Sequence, residues 1–436
     1  MNFDLMRSLL IDRALRGELF SNVTSVEAEG KSLEEEQTTP FTIPNHWQWK
    51  RVADCVQFNP KVIQDDAVEV SFIPMADVEP GFVDQCSTRQ AKPWAKVKKG
   101  FSRFQEGDLL VAKITPCFQN RKSCVAKSLI NGTGAGSTEF HVMRCVSGVD
   151  AKFLLYFFKS EYFIRYGVNH FNGTVGQQRV GAQDIKDCLI PVPSVEEQVR
   201  IVAKLEDAFA EIDRAEKAYE ELQTLAGVLR GQILQEAIQG KLVPQLAEEG
   251  VVEQIGVAPD ERPFEIPKSW KWRALDEIFK FVDYRGKTPT KTTDGVRLIT
   301  ASNVRQGYVD HKRIEFISSE EYIDRQNRGI SKKGDILFTT EAPLGNVALA
   351  DLDVYSAGQR VITLQTDSEN KKLLMYFMLS PYFQKALKNN ATGTTAQGIK
   401  AARLKKLMLP VPPVEEQARI ASKVEELLKQ VDALSA

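Results

Sequence analysis

The sequence predicts an α+β protein made of two related halves, each a mixed α/β domain followed by a long helix. Residues 191–201 read PVPSVEEQVRI and recur at 410–420 as PVPPVEEQARI. From 191 to 206, eleven of sixteen positions are identical to those 219 residues later. Solenoid repeats have periods of only ~20–50 residues. The sequence therefore indicates a duplicated domain together with a duplicated helix.

The duplication extends along almost the whole chain. IPNHWQW at 43–49 returns as IPKSWKW at 266–272, and GDLL at 107–110 returns as GDIL at 334–337. A Gly-Thr-x-x-Gln pattern begins at Gly173 and again at Gly393. Residues 10–19 also resemble residues 233–242, so the first helix of the chain copies the end of the central helix. The repeat is therefore circular.

The predicted elements follow from these matches and from the composition between them. Glu-rich stretches without hydrophobic periodicity are typical of linkers. In chain order we expect an N-terminal helix that completes the circular repeat (1–20), a linker (21–42), a first mixed domain (43–193), a central helix (194–243), a second linker (244–263), a second mixed domain (264–412) and a C-terminal helix (413–436).

The two long helices carry a coiled-coil pattern, with apolar residues at alternating spacings of four and three. Pro193 and Pro412 precede them, where a proline fits the first turn, and Gly240 provides a stop signal. We expect two antiparallel helices that separate two pseudo-symmetric domains. The predicted seam residues are Ile201, Leu205, Ile212, Tyr219, Leu222, Leu229, Ile233, Ile420, Val424, Leu427 and Val431.

Within each domain, short β-branched and aromatic runs alternate with turn signals. Examples are residues 68–73 and 296–300, while 153–166 and 371–388 have the composition of helices. A regular alternation of strand and helix is absent, which disfavours a doubly wound parallel sheet.

Charge is strongly segregated although the net charge is only −1. Residues 41–193 carry a net +5, residues 264–412 a net +8, and the remaining residues a net −14. Two basic domains on an acidic scaffold suit two contacts with a polyanion. The alternative is that long helices and linkers are simply rich in glutamate.

The sequence contains no recognisable catalytic or metal-binding motif. Phe281 stands where a P-loop ending in Gly286-Lys287-Thr288 needs its first glycine. The histidines lack metal-ligand spacing. Asp335 and Glu341 could form a metal pair, but Asp335 repeats Asp108 in a Gly-Asp turn, so a turn is favoured. We expect no metal and no catalytic residue in this chain.

Cysteine usage and hydropathy indicate a cytoplasmic protein without a membrane span. All six cysteines lie in the first half and none forms Cys-x-x-Cys, which predicts reduced thiols. No run of ~18 apolar residues is present. The charged first twenty residues do not fit a secretory signal.

Taken in order, these motifs resemble the specificity subunit of type I restriction-modification systems. The resemblance implies two target recognition domains, each of which reads one half of a bipartite, asymmetric site in double-stranded DNA. It also implies that the helices set the spacer and dock two methyltransferase subunits, through which restriction/translocase subunits join. S-adenosylmethionine, ATP and Mg are then expected on the partner subunits, with no cofactor in this chain.

Arginine, lysine, asparagine and glutamine on loops are the side chains best suited to read bases in the major groove. Several of the residues chosen on this ground could equally be solvated surface. The DNA-binding candidates are Lys92, Trp94, Lys96, Lys98, Lys99, Arg103, Gln119, Asn120, Arg121 and Lys122 in the first domain, Arg285, Lys287, Lys291, Arg297, Asn303 and Arg305 in the second, and Gln177, Gln178, Arg179, Gln397 and Lys400 on the Gly-Thr loops.

The length of the central helix fits this interpretation. At ~1.5 Å per residue, residues 195–239 span about 65 Å, and successive major-groove faces lie about 34 Å apart. Two other functions stay open: a specificity subunit of a type II-like fused nuclease-methyltransferase, and a coiled-coil adaptor that binds protein instead of DNA.

Overall fold

The structure of the chain, a computed structural model, describes residues 1–19, 39–86, 90–174, 176–249, 262–284, 288–367, 369–393 and 397–435. Most of the two predicted linkers therefore lies outside the described residues. The chain divides into two units, residues 1–218 and 219–436. Within the described residues, no helix has the length and apolar character needed to cross a membrane.

Unit 1 begins with a helix and ends in the long central helix. Its helices are α1 (Phe3–Leu15), α2 (Val52–Cys55), α3 (Trp94–Val97), α4 (Ala151–Lys159), α5 (Glu161–Asn169), α6 (Ala182–Asp187) and the first part of α7 (Val195–Ile238). Its strands are β1 (Gln48–Arg51), β2 (Val56–Phe58), β3 (Glu69–Ile73), β4 (Gln90–Pro93), β5 (Ser102–Gln105), β6 (Leu109–Ala112), β7 (Ser123–Val125), β8 (Thr133–Gly136), β9 (Phe140–Cys145), β10 (Phe171–Asn172), β11 (Arg179–Val180) and β12 (Leu189–Val192).

Two four-stranded sheets form the body of unit 1. The order β2-β9-β6-β7 is antiparallel throughout, whereas β4-β3-β8-β5 contains one parallel pair, β3 with β8. Helix α4 packs against the first sheet through apolar side chains such as Phe153 and Phe157, both fully buried. Strand β1 pairs with β12 and so closes the domain just before α7 begins.

The cysteines of unit 1 are thiols, and the sulfur atoms of Cys86 and Cys124 lie 3.2 Å apart. Cys55, Cys124 and Cys188 are fully buried. Burial raises the pKa of Cys55 to about 11 and that of Cys188 to about 12, so both stay protonated at neutral pH. The reduced state of the cysteines stays a prediction.

Unit 2 repeats this plan. Its helices are the second part of α7, then α8 (Leu275–Ile278), α9 (Ser319–Arg325), α10 (Lys371–Leu379), α11 (Pro381–Asn389), α12 (Ala401–Lys405) and α13 (Val414–Ser435). Its strands are β13 (Lys271–Ala274), β14 (Lys280–Asp283), β15 (Lys291–Thr292), β16 (Val296–Ile299), β17 (Phe316–Ile317), β18 (Ile336–Thr340), β19 (Leu344–Leu349), β20 (Ser356–Ala357), β21 (Val361–Gln365) and β22 (Met408–Val411).

The antiparallel sheet of unit 2 matches that of unit 1 strand for strand, whereas the mixed sheets differ at their edges, which are formed by β5 in unit 1 and by β15 in unit 2. The order β14-β21-β18-β19 is antiparallel, and β15-β17-β16-β20 contains one parallel pair, β16 with β20. Strand β13 pairs with β22 just before α13, as β1 does with β12 before α7. The predicted α+β fold with two pseudo-symmetric mixed domains is confirmed.

In unit 1, α1 runs antiparallel to α7. The Arg7 guanidinium lies 2.6 Å from carboxylate oxygens of Asp213 and Glu216. Further along α1, Ile11 and Leu15 join a core that contains Ile201 and Leu205, earlier positions of α7. The two sequences therefore run in opposite directions along this contact.

In unit 2, α13 runs antiparallel to α7 through an equivalent ion pair. Arg230 lies 2.6 Å from Asp432, and at the other end Gln245 donates to Glu416 over 2.7 Å. Arg230 is 223 residues after Arg7, and Asp432 is 219 residues after Asp213. These are the offsets of the circular repeat, so the N-terminal helix of one unit and the end of α7 in the other hold the same structural place.

The seam prediction is only partly correct. Ile201, Leu205, Ile233, Ile420, Val424 and Val431 are buried, and Ile212, Tyr219 and Leu427 are half-buried. Leu222 and Leu229, however, are 38% and 41% exposed. Helix α13 covers a narrow face of α7 around Ala226, Ile233 and Ala237. The apolar face of α7 is wider than this contact, so Leu222 and Leu229 at its edge stay uncovered.

The repeated Glu-Glu-Gln motif forms a buried clamp at the start of each long helix. Gln198 accepts a hydrogen bond from the Asp150 amide over 2.7 Å, and it donates to the carbonyls of Gly148 (3.1 Å) and Pro193 (3.0 Å). Gln417 accepts from the Asn370 amide over 2.6 Å and donates to Pro412 over 3.0 Å. The motif thus ties the entry of the long helix to the N-terminus of α4 or α10.

Candidate nucleic-acid interface

Each Gly-Thr loop is fixed to the same strand end of its domain. In unit 1, the Val180 amide donates to the Lys113 carbonyl over 3.0 Å. In unit 2, the Ile399 amide donates to the Thr340 carbonyl, also over 3.0 Å. Lys113 directly follows β6, and Thr340 is the last residue of the equivalent strand β18. The repeat therefore places the two loops at equivalent edges.

An arginine tethered to a glutamate lies at this edge in unit 1. Nε and Nη2 of Arg179 each donate to a different carboxylate oxygen of Glu139 over 2.9 Å. The hydrogen bonds from Arg179 lower the pKa of Glu139, although burial works in the opposite direction. The Arg179 side chain remains 43% exposed.

Unit 2 has an arginine and a glutamate at the same edge, but at different positions. Arg360 lies 3.7 Å from Glu341, and the two side chains are 48% and 43% exposed. Arg360 immediately precedes β21, as Glu139 immediately precedes β9. The residue just before this strand is therefore a glutamate in unit 1 and an arginine in unit 2.

Open clefts lie beside both arginines. The cleft in unit 1 has a volume of about 620 Å³ and is lined by Asn59, Phe101, Lys113, Thr138 and Arg179, among others. The cleft in unit 2 has about 280 Å³ and is lined by Thr288, Lys291, Arg313, Gln359 and Arg360, among others. Positive side chains at the wall of a cleft are suited to contact phosphates and guanines.

Glu315 at the wall of the unit 2 cleft is held as a carboxylate. Burial raises its pKa, but hydrogen bonds from Lys291 and Arg313 outweigh this effect and lower the pKa below the ordinary value. Lys291 lies 3.0 Å and Arg313 2.6 Å from its carboxylate. Glu315 therefore holds the side chains of Lys291 and Arg313 at the wall of this cleft.

The lysine-rich candidates of the first domain do not form one surface. Lys96, Lys99 and Arg103 are exposed. Lys92 lies with its amine 3.3 Å from the centre of the Phe72 ring, and Lys98 forms a 2.7 Å ion pair with Asp66. Trp94 is only 3% exposed and belongs to a core cluster, so its assignment as a DNA contact is wrong.

The turn from Gln119 to Lys122 faces the helices instead of the Gly-Thr loop. Gln119, Asn120 and Arg121 line a cleft of about 900 Å³ together with residues of α1 and α7. Arg121 is engaged by Glu161 at 2.6 Å and by the Lys159 carbonyl at 2.9 Å, and the Lys122 amine donates to the Met75 carbonyl. The structure therefore separates this group from the Arg179 edge.

The candidates of the second domain are also dispersed. Arg285 and Lys287 lie outside the described residues. Arg305 lies 3.6 Å from Asp310, and Arg297 lies 3.3 Å from the His311 ring nitrogen. Asn303 is fully buried, and its side chain amide donates to two main-chain carbonyls of its own loop, so its proposed DNA contact is wrong.

On the Gly-Thr loops, Gln177, Gln397 and Lys400 are exposed, and Gln178 and Arg179 are half-buried. Sequence reasoning missed Lys113, Arg313 and Arg360. Arg360 directly precedes β21, the strand equivalent to β9, and this place is the signal that could have revealed it. The repeat is recognised by identical residues, and this position is a glutamate in one half and an arginine in the other. No group of three or more His, Cys, Asp or Glu side chains in the described ranges could hold a metal ion.

Comparison with known proteins identifies the family. The family model described as type I restriction modification DNA specificity domain matches residues 44–224 and again residues 267–435. Among curated relatives, the type I restriction enzyme EcoAI specificity subunit of Escherichia coli is 28% identical over 98% of this chain and 89% of its own length. The EcoEI specificity subunit of the same species is 25% identical with the same coverage.

Solved structures share the fold. A chain from a study of complex assembly and conformational transition of the type I R-M system aligns with a TM-score of 0.70 at 21% identity, over 91% of this chain and 93% of that one. The HsdS subunit from Thermoanaerobacter tengcongensis aligns with a TM-score of 0.57 at 20% identity, over 91% and 92% of the two chains. The two matches of the family model cover most of the sequence, and the chain belongs to the type I restriction-modification DNA specificity family.

Proposed function

We propose that this chain is the sequence-specific DNA-binding subunit of a type I restriction-modification complex. Each domain reads one half of a bipartite, asymmetric site in double-stranded DNA, and the helices set the spacer between the halves. The observation that carries this function is the recurrence of one arginine-lined cleft at the same edge of two basic domains with different side chains. Equivalent scaffolds with different polar residues are suited to read different sequences.

The helices provide surfaces for two copies of one partner, a methyltransferase subunit. On α1, Leu5 and Met6 are 53% and 41% exposed, and on α7 the equivalent Val228 and Leu229 are 64% and 41% exposed. Exposed apolar patches on a soluble domain are typical of protein interfaces. Two equivalent patches suit two methyltransferase subunits, through which restriction/translocase subunits join the complex.

The chemistry belongs to those partners in this proposal. The chain itself is non-catalytic, and S-adenosylmethionine, ATP and Mg bind to the partner subunits. The complex works on DNA in the cytoplasm.

Reconstitution tests this function. The chain purified together with its methyltransferase subunit should methylate adenine at a bipartite, asymmetric site, and the chain alone should methylate nothing. A complex that methylates without sequence preference, or a chain that transfers methyl groups alone, would contradict the proposal. A complex that fails to shift site-containing DNA in a mobility assay would favour the protein-binding adaptor instead.

A further inference from the structure

We propose that Arg179 and Arg360 each read a guanine, one in each half of the DNA site, and that Glu139 and Glu341 orient them. This inference rests on the proposed function and assigns the base-reading group within it. The Arg179–Glu139 and Arg360–Glu341 ion pairs use different positions of the repeat.

The main chain at this edge is the same in both domains. The Lys113 amide donates to the Glu139 carbonyl, and the Thr340 amide donates to the Arg360 carbonyl, each over 3.0 Å. These bonds establish that Glu139 and Arg360 hold equivalent places in the two domains.

Two further places complete the set. Isolated β-bridges join Ile114 to Arg179 in unit 1 and Glu341 to Gly398 in unit 2. Ile114 is therefore equivalent to Glu341, and Arg179 is equivalent to Gly398. In unit 1 the three places hold Glu139, Ile114 and Arg179. In unit 2 they hold Arg360, Glu341 and Gly398, in the same order.

Some structural contacts of the repeat keep their residue types, whereas the buried Asp108 pairs with Arg144 in unit 1 and its equivalent Asp335 pairs with Lys371 in unit 2. The pair of Arg7 with Asp213 keeps its residue types in the pair of Arg230 with Asp432. The buried Gln198 likewise recurs as Gln417. At the cleft, each domain pairs an arginine with a glutamate, but the two residues occupy different positions of the repeat. At the wall of a cleft, the rearranged pair presents its guanidinium from a different position in each domain, which suits two readers of different half-sites.

The hydrogen bonds of Arg179 leave two of the N–H groups of its guanidinium free. Nε and Nη2 donate to Glu139, and Nη1 donates to the Gln177 carbonyl over 3.1 Å. A guanidinium has five N–H groups, so one N–H on Nη1 and one on Nη2 remain. Donors on Nη1 and Nη2 of an arginine are suited to bind O6 and N7 of guanine.

Arg360 has its fork free as well. Among the described residues, its side chain makes an ion pair with Glu341 at 3.7 Å and no hydrogen bond. Its position at the wall of the cleft places it opposite Arg313 and Lys291, whose charges are partly neutralised by Glu315. Arg313 and Lys291 are held by Glu315, whereas the Arg360 guanidinium is held by the longer ion pair with Glu341.

The test uses the complete complex with its methyltransferase subunit. Arg179→Ala, Arg179→Lys, Arg360→Ala and Arg360→Lys are compared with Arg165→Ala, an exposed arginine of α5 away from the cleft. Methylated positions are mapped by sequencing, and methylation rates are measured on the cognate site and on sites with each single base replaced. Lysine keeps the charge but not the fork, so it separates a base contact from a phosphate contact.

Both Arg179 variants should lose roughly 5- to 150-fold of discrimination at a single guanine of one half-site, which is the range for one bidentate contact. Both Arg360 variants should do so at a guanine of the other half. Arg179→Lys should leave the salt dependence of DNA binding unchanged. Arg165→Ala should leave the motif and its discrimination unaltered.

Three outcomes would overturn the inference: an unchanged motif in the lysine variants, a uniform loss of methylation at every sequence, or relaxation in both half-sites by one variant. If an alanine variant does not fold, the lysine variant decides, since it retains a donor for the carboxylate. A wild-type complex that methylates no defined site would instead refute the proposed function.

Discussion

Replacing Gln198 by alanine should destabilise unit 1 strongly, although the residue is far from the cleft. Gln198 is fully buried and makes three hydrogen bonds, to the Asp150 amide and to the carbonyls of Gly148 and Pro193. At ~1 kcal/mol for each bond, the free energy of unfolding should fall by about 3 kcal/mol. In a unit of this size, that loss lowers Tm by roughly 6 to 12 °C.

Scanning calorimetry measures this directly, with Gln183→Ala as the matched control. Gln183 is an exposed glutamine of the same unit whose side chain bonds only to Asp187 over 2.9 Å. Its replacement should change Tm by less than about 2 °C, because exposed substitutions usually stay within ~0.5 kcal/mol. Equal shifts in the two variants would refute the view that the Glu-Glu-Gln motif is a structural clamp, and would suggest a contact with a partner instead.

Three further predictions address the helices and a buried lysine. Arg7→Ala removes a side chain that is 10% exposed between two carboxylates and should cost roughly 2 kcal/mol, whereas Arg214→Ala, whose pair with Glu211 is exposed, should cost at most ~0.5 kcal/mol by calorimetry. Burial lowers the pKa of Lys159 to about 8, so the unfolded chain binds more protons between pH 8 and about 10.5. The stability of the wild type relative to Lys159→Met should therefore rise with pH across this window, and a flat or falling difference in urea unfolding would contradict it. Leu229→Glu, at a position 41% exposed, should lower the number of co-purified methyltransferase subunits from two to one, because the patch at Leu5 and Met6 is unaltered, while Tm changes by less than about 2 °C; retention of two subunits would exclude this patch from the interface.

Features that depend on repetition or local pattern could be predicted from the sequence. The two halves, their mixed α/β content and the long helices follow from motifs that occur twice. Helix α7 starts at Val195, two residues after Pro193, as a proline before the first turn predicts. The circular repeat also follows from sequence alone, and the pairs Arg7 with Asp213 and Arg230 with Asp432 show its physical basis.

Features that depend on tertiary packing could not be predicted. Trp94 and Asn303 stand among basic residues, yet Trp94 is buried against Val62 and Ala135 and Asn303 is buried by the fold of its own loop. The spacing of four and three along α7 cannot tell which apolar edge the partner helix covers, so Leu222 and Leu229 were assigned to a seam that leaves them exposed. Arg360 was missed because its equivalent in the other domain is a glutamate.

The central claim, that each basic domain reads one half of the DNA site, is tested most directly by exchanging one domain. Residues 43–193 are replaced by the equivalent segment of a related specificity subunit, and the adenines methylated by the resulting complex are mapped by sequencing. The account predicts that one half of the bipartite motif changes to that of the donor and that the other half is unaltered. A change in both halves, or in neither, would contradict it.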